Sequence, residues 1–146
     1  MSMGNRTFNE HYRLDAIVPQ TVDDNTATTG WIRVIGQRIV GMVFVGDTDI
    51  TVDAKIRQAQ SAGGANDKDI TGAAITQYTA GDDNKWATID VDAAKLDINN
   101  GYNHVALVIT VGNGTTGAVV AGALLQEARH KPPAQPTAYK EAVRLT

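Results

Sequence analysis

Two apolar runs near the C-terminal end constrain the fold most. Residues 105–111 read Val-Ala-Leu-Val-Ile-Thr-Val and residues 118–125 read Ala-Val-Val-Ala-Gly-Ala-Leu-Leu, joined by Gly112-Asn-Gly-Thr-Thr-Gly117. β-Branched side chains have few rotamers and suit a pleated, buried surface. The joint is built of residues that tolerate positive φ and tight turns. This pattern predicts a long central β-hairpin in an all-β chain.

The rest of the chain repeats that rhythm. In the stretch 48–60, Ile50, Val52, Ala54 and Ile56 alternate with Thr51, Asp53, Lys55 and Arg57. A period of two marks a sheet with one wet face. Residues 13–18 predict a first short strand stopped by Pro19, because proline cannot donate to a ladder. Residues 21–26 carry turn chemistry, and Gly36-Gln37 predicts a hairpin turn between the runs 28–35 and 38–45. Gly63-Gly64 closes the alternating strand, and residues 86–91 alternate again. Ile70, Ala74 and Tyr78 fit either a strand or one helical turn, and Asp92 predicts the cap of a short helical turn. Asp23-Asp24-Asn25 and Asp82-Asp83-Asn84 each precede a Trp, which reads as recurrent turn chemistry. Seven to nine short strands at even spacing predict a single-domain β-sandwich or jelly-roll-like barrel over residues 13–128. Residues 1–12 read as an N-terminal arm. Residues 129–146, with Pro132, Pro133 and Pro136, read as an extended C-terminal tail.

Composition narrows the function classes. A chain of 146 residues makes one domain with enough buried surface for a stable core. Thirteen basic residues against 16 acidic ones give a net charge of −3, so no footprint for nucleic acid or an anionic membrane is expected. Cysteine is absent, which removes disulfides, thiolate nucleophiles and cysteine metal sites. The first 13 residues lack an apolar core, and no apolar run approaches membrane-spanning length, so synthesis in a cytoplasm is expected.

Candidate chemistry is sparse. Gly112-x-Gly114-x-x-Gly117 has the spacing of a dinucleotide-binding loop, but prolines follow where a second strand and an acidic residue should stand. A hairpin turn and no cofactor are expected there. His11, His104 and His130 lie too far apart in sequence for a helical metal pair. Asp23, Asp24, Asp47, Asp49, Asp53, Asp82 and Asp83 form no calcium loop, so no metal is expected. Neither serine lies in a nucleophile elbow, and no enzyme activity is expected. Trp31, Trp86, Tyr78 and Tyr102 read as core or interface anchors.

A family resemblance adds to this. It rests on Ile56-Arg-Gln-Ala-Gln-Ser-Ala-Gly-Gly64, Asp69-Ile-Thr-Gly72, Lys85-Trp-Ala-Thr-Ile-Asp-Val91, Leu96-Asp97, the segment 101–111, and the run 120–129 before Pro132. Together these resemble small virion proteins of tailed bacteriophages, of the capsid decoration (cement) type. The resemblance covers roughly residues 50–133 and consists of strand and turn rhythm. It implies a non-enzymatic protein that binds the outside of an icosahedral shell as a homotrimer, bridges subunits of the major capsid protein, and is made in the host cytoplasm. The expected contact surfaces are the arm around Phe8 and Tyr12 and the tail around Pro132, Pro133, Pro136 and Tyr139. A neck or tail component shares this rhythm. A carbohydrate- or ligand-binding β-sandwich module is the other reading, with Trp86 beside Asp82, Asp83 and Asn84 as its platform.

Overall fold

A computed structural model describes residues 12–127 and Lys140. Its strands are β1 (Tyr12–Val22), β2 (Asn25–Thr28), β3 (Ile32–Arg33), β4 (Arg38–Thr48), β5 (Val52–Ala59), β6 (Lys68–Ala74), β7 (Lys85–Asp92), β8 (His104–Val111) and β9 (Ala118–Glu127). Sheet A has the order β1-β9-β4-β7, and sheet B the order β2-β8-β5-β6, with β3 also on β8. The pairing is nested and antiparallel. β1 pairs with β9, β2 and β3 with β8, β4 with β7, and β5 with β6. The chain is thus one long hairpin rolled up so that successive rungs fall alternately on sheet A and sheet B. Contacts β4–β9 and β5–β8 close each sheet. This is the jelly-roll form of the β-sandwich.

The core lies between the sheets. Ile39 and Val43 of β4 and Val120 and Leu124 of β9 face Val52 and Ile56 of β5 and Leu107 and Ile109 of β8, all at most 1% exposed. Small residues make room for large ones. A Cβ at Gly122 would lie 2.8 Å from Leu107 Cδ2 and one at Gly41 3.1 Å from Ile56 Cδ1, so each glycine is a hole filled from the opposite sheet. Burying each of these aliphatic side chains is worth about 1.5–3 kcal/mol, and the inward alternation of β5 supplies Val52 and Ile56 with the smaller Ala54 between them.

Several expectations change. β1 continues through Pro19: it is an edge strand, and its register shifts between Ile17 and Gln20, where no ladder hydrogen bond is asked of the proline. Tyr12 is the first residue of β1, paired with Glu127, and not part of an arm. The turn expected over 21–26 shrinks, because Asn25 already opens β2 and Asp24 takes the left-handed conformation (φ 46°). Residues 70–74 belong to strand β6, and Tyr78 bridges to Val52, so the helical alternative is excluded. Two predicted hairpins are crossovers. Segments 34–37 and 112–117 each join strands of opposite sheets. Local sequence specifies a turn but not whether it spans the ~4.8 Å to a neighbouring strand or the ~10 Å to the facing sheet. The Asp92 cap forms as expected, its carboxylate accepting from Ala94 N at 2.9 Å.

Candidate interaction surface

The two outer faces of the sandwich differ in chemistry. On sheet B the outward positions of β5 are polar and paired over Ala106 and Val108 of β8: Lys55 Nζ meets Asp69 Oδ1 at 2.9 Å, Arg57 Nε donates to Asp69 Oδ1 at 2.9 Å, and Arg57 also pairs with Asp67. Lys55 beside Asp69 holds that carboxyl below the usual carboxylate range. Thr26 and Thr110 share a hydrogen bond of 3.2 Å. These pairs are largely exposed and add little stability, but they keep this face hydrated.

Sheet A presents apolar side chains outward as well as inward. The register sets them in rows: Leu14–Leu125–Val40–Asp90, Ala16–Ala123–Met42–Thr88, and Ala121–Phe44–Trp86. Only Asp90 and Thr88, on edge strand β7, are polar in these rows. Asp90 is covered by Arg38, whose Nη2 lies 2.7 Å away.

The third row ends in a platform. Phe44 and Trp86 stack with ring centroids 6.0 Å apart and planes inclined at 20°. Trp86 is 64% exposed and Phe44 41%. Pro19 and Val119 join them around an open groove of about 350 Å³, with Asn84 and Lys85 at one side. Local sequence builds it. Asn84 adopts φ 57° and donates its N–H to Gly46 O at 3.0 Å, which starts β7 level with the end of β4. Lys85 is drawn to Asp82 at 2.7 Å, and the bond pushes the lysine up and the carboxyl down. The ammonium is thereby held at the turn beside the platform.

The glycine loop 112–117 is occupied by the protein itself. Asp49 accepts from the backbone N–H groups of Thr115 (2.9 Å), Thr116 (2.8 Å) and Gly117 (3.0 Å), and from Thr116 Oγ1 (3.1 Å). Asp23 Oδ1 accepts from Gly114 N at 2.8 Å. These bonds, the Thr116 N–H first, hold the Asp49 carboxyl below its usual range against a partial desolvation cost. The amide nest therefore binds two carboxylates of the chain, which fixes the crossover. Gly117, at φ 80° against Val22 and Asp23, has no space for a side chain.

The remaining sequence candidates sort as follows. Phe8, Pro132, Pro133, Pro136 and Tyr139 lie outside the described residues, and half-buried Tyr12 stands at the far end of sheet A from the groove. Tyr102 is core, its hydroxyl donating to Asn66 O at 2.9 Å under Lys68. Trp31 is half-buried against Gly64, and Tyr78 is also half-buried. Burial lowers the His104 imidazole, and Arg33 opposite lowers it further. Asp83 Oδ1 accepts from Thr48 N at 2.7 Å and Asp53 Oδ2 from Gln77 Nε2 at 2.8 Å, so these carboxylates serve turns and strands. Among the described residues no three His, Cys, Asp or Glu converge as a metal site, and no helix is long and apolar enough to cross a membrane. Sequence reasoning missed Pro19, Phe44 and Val119. The signal for the face was present: runs 39–45 and 118–125 are apolar without alternation, which means both faces of β4 and β9 shun water.

Comparison with known proteins adds little. No family model and no curated protein matches the chain. Among solved structures, a family two carbohydrate esterase from Cellvibrio japonicus is similar at 14% identity and a TM-score of 0.34, over 86% of this chain. The chain spans about a third (33%) of that protein's length.

Proposed function

We propose that this chain is a non-enzymatic assembly subunit of a tailed-phage virion, a capsid decoration (cement) protein that binds the major capsid protein on the shell surface as a trimer. The single observation carrying this reading is the apolar outer face of sheet A, ending in the Phe44–Trp86 platform. Contiguous exposed apolar surface on a β-sandwich marks a protein contact. The resemblance in strand and turn rhythm supplies the virion context, and the jelly roll suits it without deciding it, since viral capsid and lectin domains share that fold. The mechanism is mass action: a subunit that binds only the mature lattice stabilises that lattice. The same surface serves a neck or tail position. Cosedimentation of the purified chain with mature shells of the phage that carries it, and with its unexpanded precursors, tests the reading. Saturable binding to mature shells alone is expected; no binding to either overturns it.

A second reading, a carbohydrate-binding module, draws on the 64% exposure of Trp86 beside Asn84 and Lys85. Fluorescence titration with neutral oligosaccharides separates the two. A saturable shift of tryptophan emission that Trp86→Ala abolishes favours the module; a flat titration removes it.

A further inference from the structure

Of the four sheet edges among the described residues, three are defended. An edge strand leaves a row of backbone N–H and C=O groups open to another strand, and proteins blunt such rows with prolines, bulges or short length. β1 carries Pro19 and a register shift between Ile17 and Gln20. β2 and β3 share one edge of sheet B and are four and two residues long. β6 is interrupted by Gly72 at φ 83°.

β7 has none of these devices. Residues 85–92 pair with β4 without a register shift and include neither proline nor glycine. Among the described residues, no backbone hydrogen bond reaches this strand from any element other than β4. Charged side chains also defend an edge, but Lys85 is tied to Asp82 and Asp90 to Arg38, each at 2.7 Å.

The charges along β7 select its partner. Opposed residues of an antiparallel pair share a face, so a two-fold axis normal to sheet A sets even positions against even ones. Two such registers overlap nearly the whole strand, one centred on Thr88 and one on Ile89. A centre at Asp90 overlaps less and sets carboxylate against carboxylate. With the centre at Ile89, Trp86 meets Asp92 of the second copy, which Arg38 approaches only to 3.8 Å. The negative face of an indole repels such a carboxylate. With the centre at Thr88, Trp86 meets Asp90 together with the Arg38 guanidinium 2.7 Å from it. A guanidinium is attracted to an indole ring, and the two-fold makes the contact twice. The edge is thus complementary to itself in charge.

We propose that β7 pairs antiparallel with β7 of a second copy of this chain, Thr88 opposite Thr88, so that two copies of sheet A become one continuous sheet. The pairing is closed, because it leaves neither β7 edge open. It rests on the edge alone and not on the shell reading.

Cross-linking and hydrogen exchange on the full-length chain test it. The chain has no cysteine, so a single introduced one reports its own neighbour. Directly opposed residues lie about 4.5–5.5 Å apart at Cα, within the span of a disulfide. Thr88→Cys and, as a control on the β6 edge, Thr71→Cys are oxidised with copper phenanthroline at micromolar concentration and weighed without reductant. Thr88→Cys is expected to become a covalent dimer at least about tenfold faster than Thr71→Cys. Native mass spectrometry of wild type is expected to show even-numbered species. Amides over 85–92 are expected to exchange at least about tenfold more slowly in concentrated than in dilute wild type, while those over 68–74 keep their rate. Circular dichroism checks that both variants fold, and the exchange experiment needs no variant. The proposal is overturned if wild type is monomeric or odd-numbered throughout the micromolar range, if 85–92 exchanges at one rate at both concentrations, or if the two cysteine variants cross-link equally fast.

Discussion

At the scale of single residues, stability rests on buried polar groups that clamp crossovers. Gln126 is 1% exposed; its Oε1 accepts from Ile35 N at 2.9 Å and its Nε2 donates to Arg33 O at 2.6 Å. It fastens the β3–β4 crossover onto β9. Gln126→Leu keeps the volume but strands an N–H and a carbonyl, each at a cost of about 1–3 kcal/mol. A lower urea midpoint at unchanged slope is expected. Trp86→Ala, on the exposed platform, loses only the stack with Phe44 and should cost under about 1 kcal/mol. Titration adds a second prediction. The folded pKa of His104 lies below the usual 6.5, so its contribution is complete above about pH 6.5 and is lost as pH falls through the folded value. Asp49, Asp69, Asp82 and Asp97 lie below the usual 3.8, so theirs is complete above that pH and is lost in stronger acid. Lys68 and Lys85 are raised by Asp97 and Asp82, so their contribution is lost only as pH rises beyond 10.5. Melting temperature against pH should fall in two acid steps, and His104→Gln should remove the first.

At the scale of elements, side-chain periodicity made most strands legible, and connectivity stayed hidden. The alternation of β5 announced both its wet face and its buried one, with Val52, Ala54 and Ile56 at most 2% exposed. The turns at Asp24, Asn84 and Gly64 were legible because those residues accept positive φ. What sequence could not reveal was the partner of each strand. The run 105–111 pairs with β2, β3 and β5, while 118–127 pairs with β1 and β4, partners as distant in sequence as Tyr12 and Glu127. The candidate site was half legible for the same reason: Trp86 stood out, but its neighbours Phe44, Pro19 and Val119 come from three other strands. The crossover assignment has a direct check. Replacing residues 112–117 by Asn-Gly, an excellent hairpin turn, should abolish cooperative unfolding because it cannot bridge the sheets and deletes the donors to Asp49. Deleting Ala62 and Gly63 from the true hairpin between β5 and β6 should leave a cooperative melt in place.

At the scale of the whole molecule, the sandwich is asymmetric. Sheet B turns a network of charges and hydroxyls to water, and sheet A turns Leu14, Val40, Met42, Phe44, Trp86 and Leu125 outward. Both sheets share one core, so that core does not require the outer apolar rows for stability. The proposed shell contact would give these rows a role. The direct test places one charge on each face and measures shell binding. Ala121→Lys sits in the platform row of sheet A, and Thr110→Lys sits on the outer face of sheet B. Binding isotherms to mature shells are expected to weaken at least tenfold for Ala121→Lys and to match wild type for Thr110→Lys. Equal binding by all three proteins, or loss only on sheet B, would contradict the account.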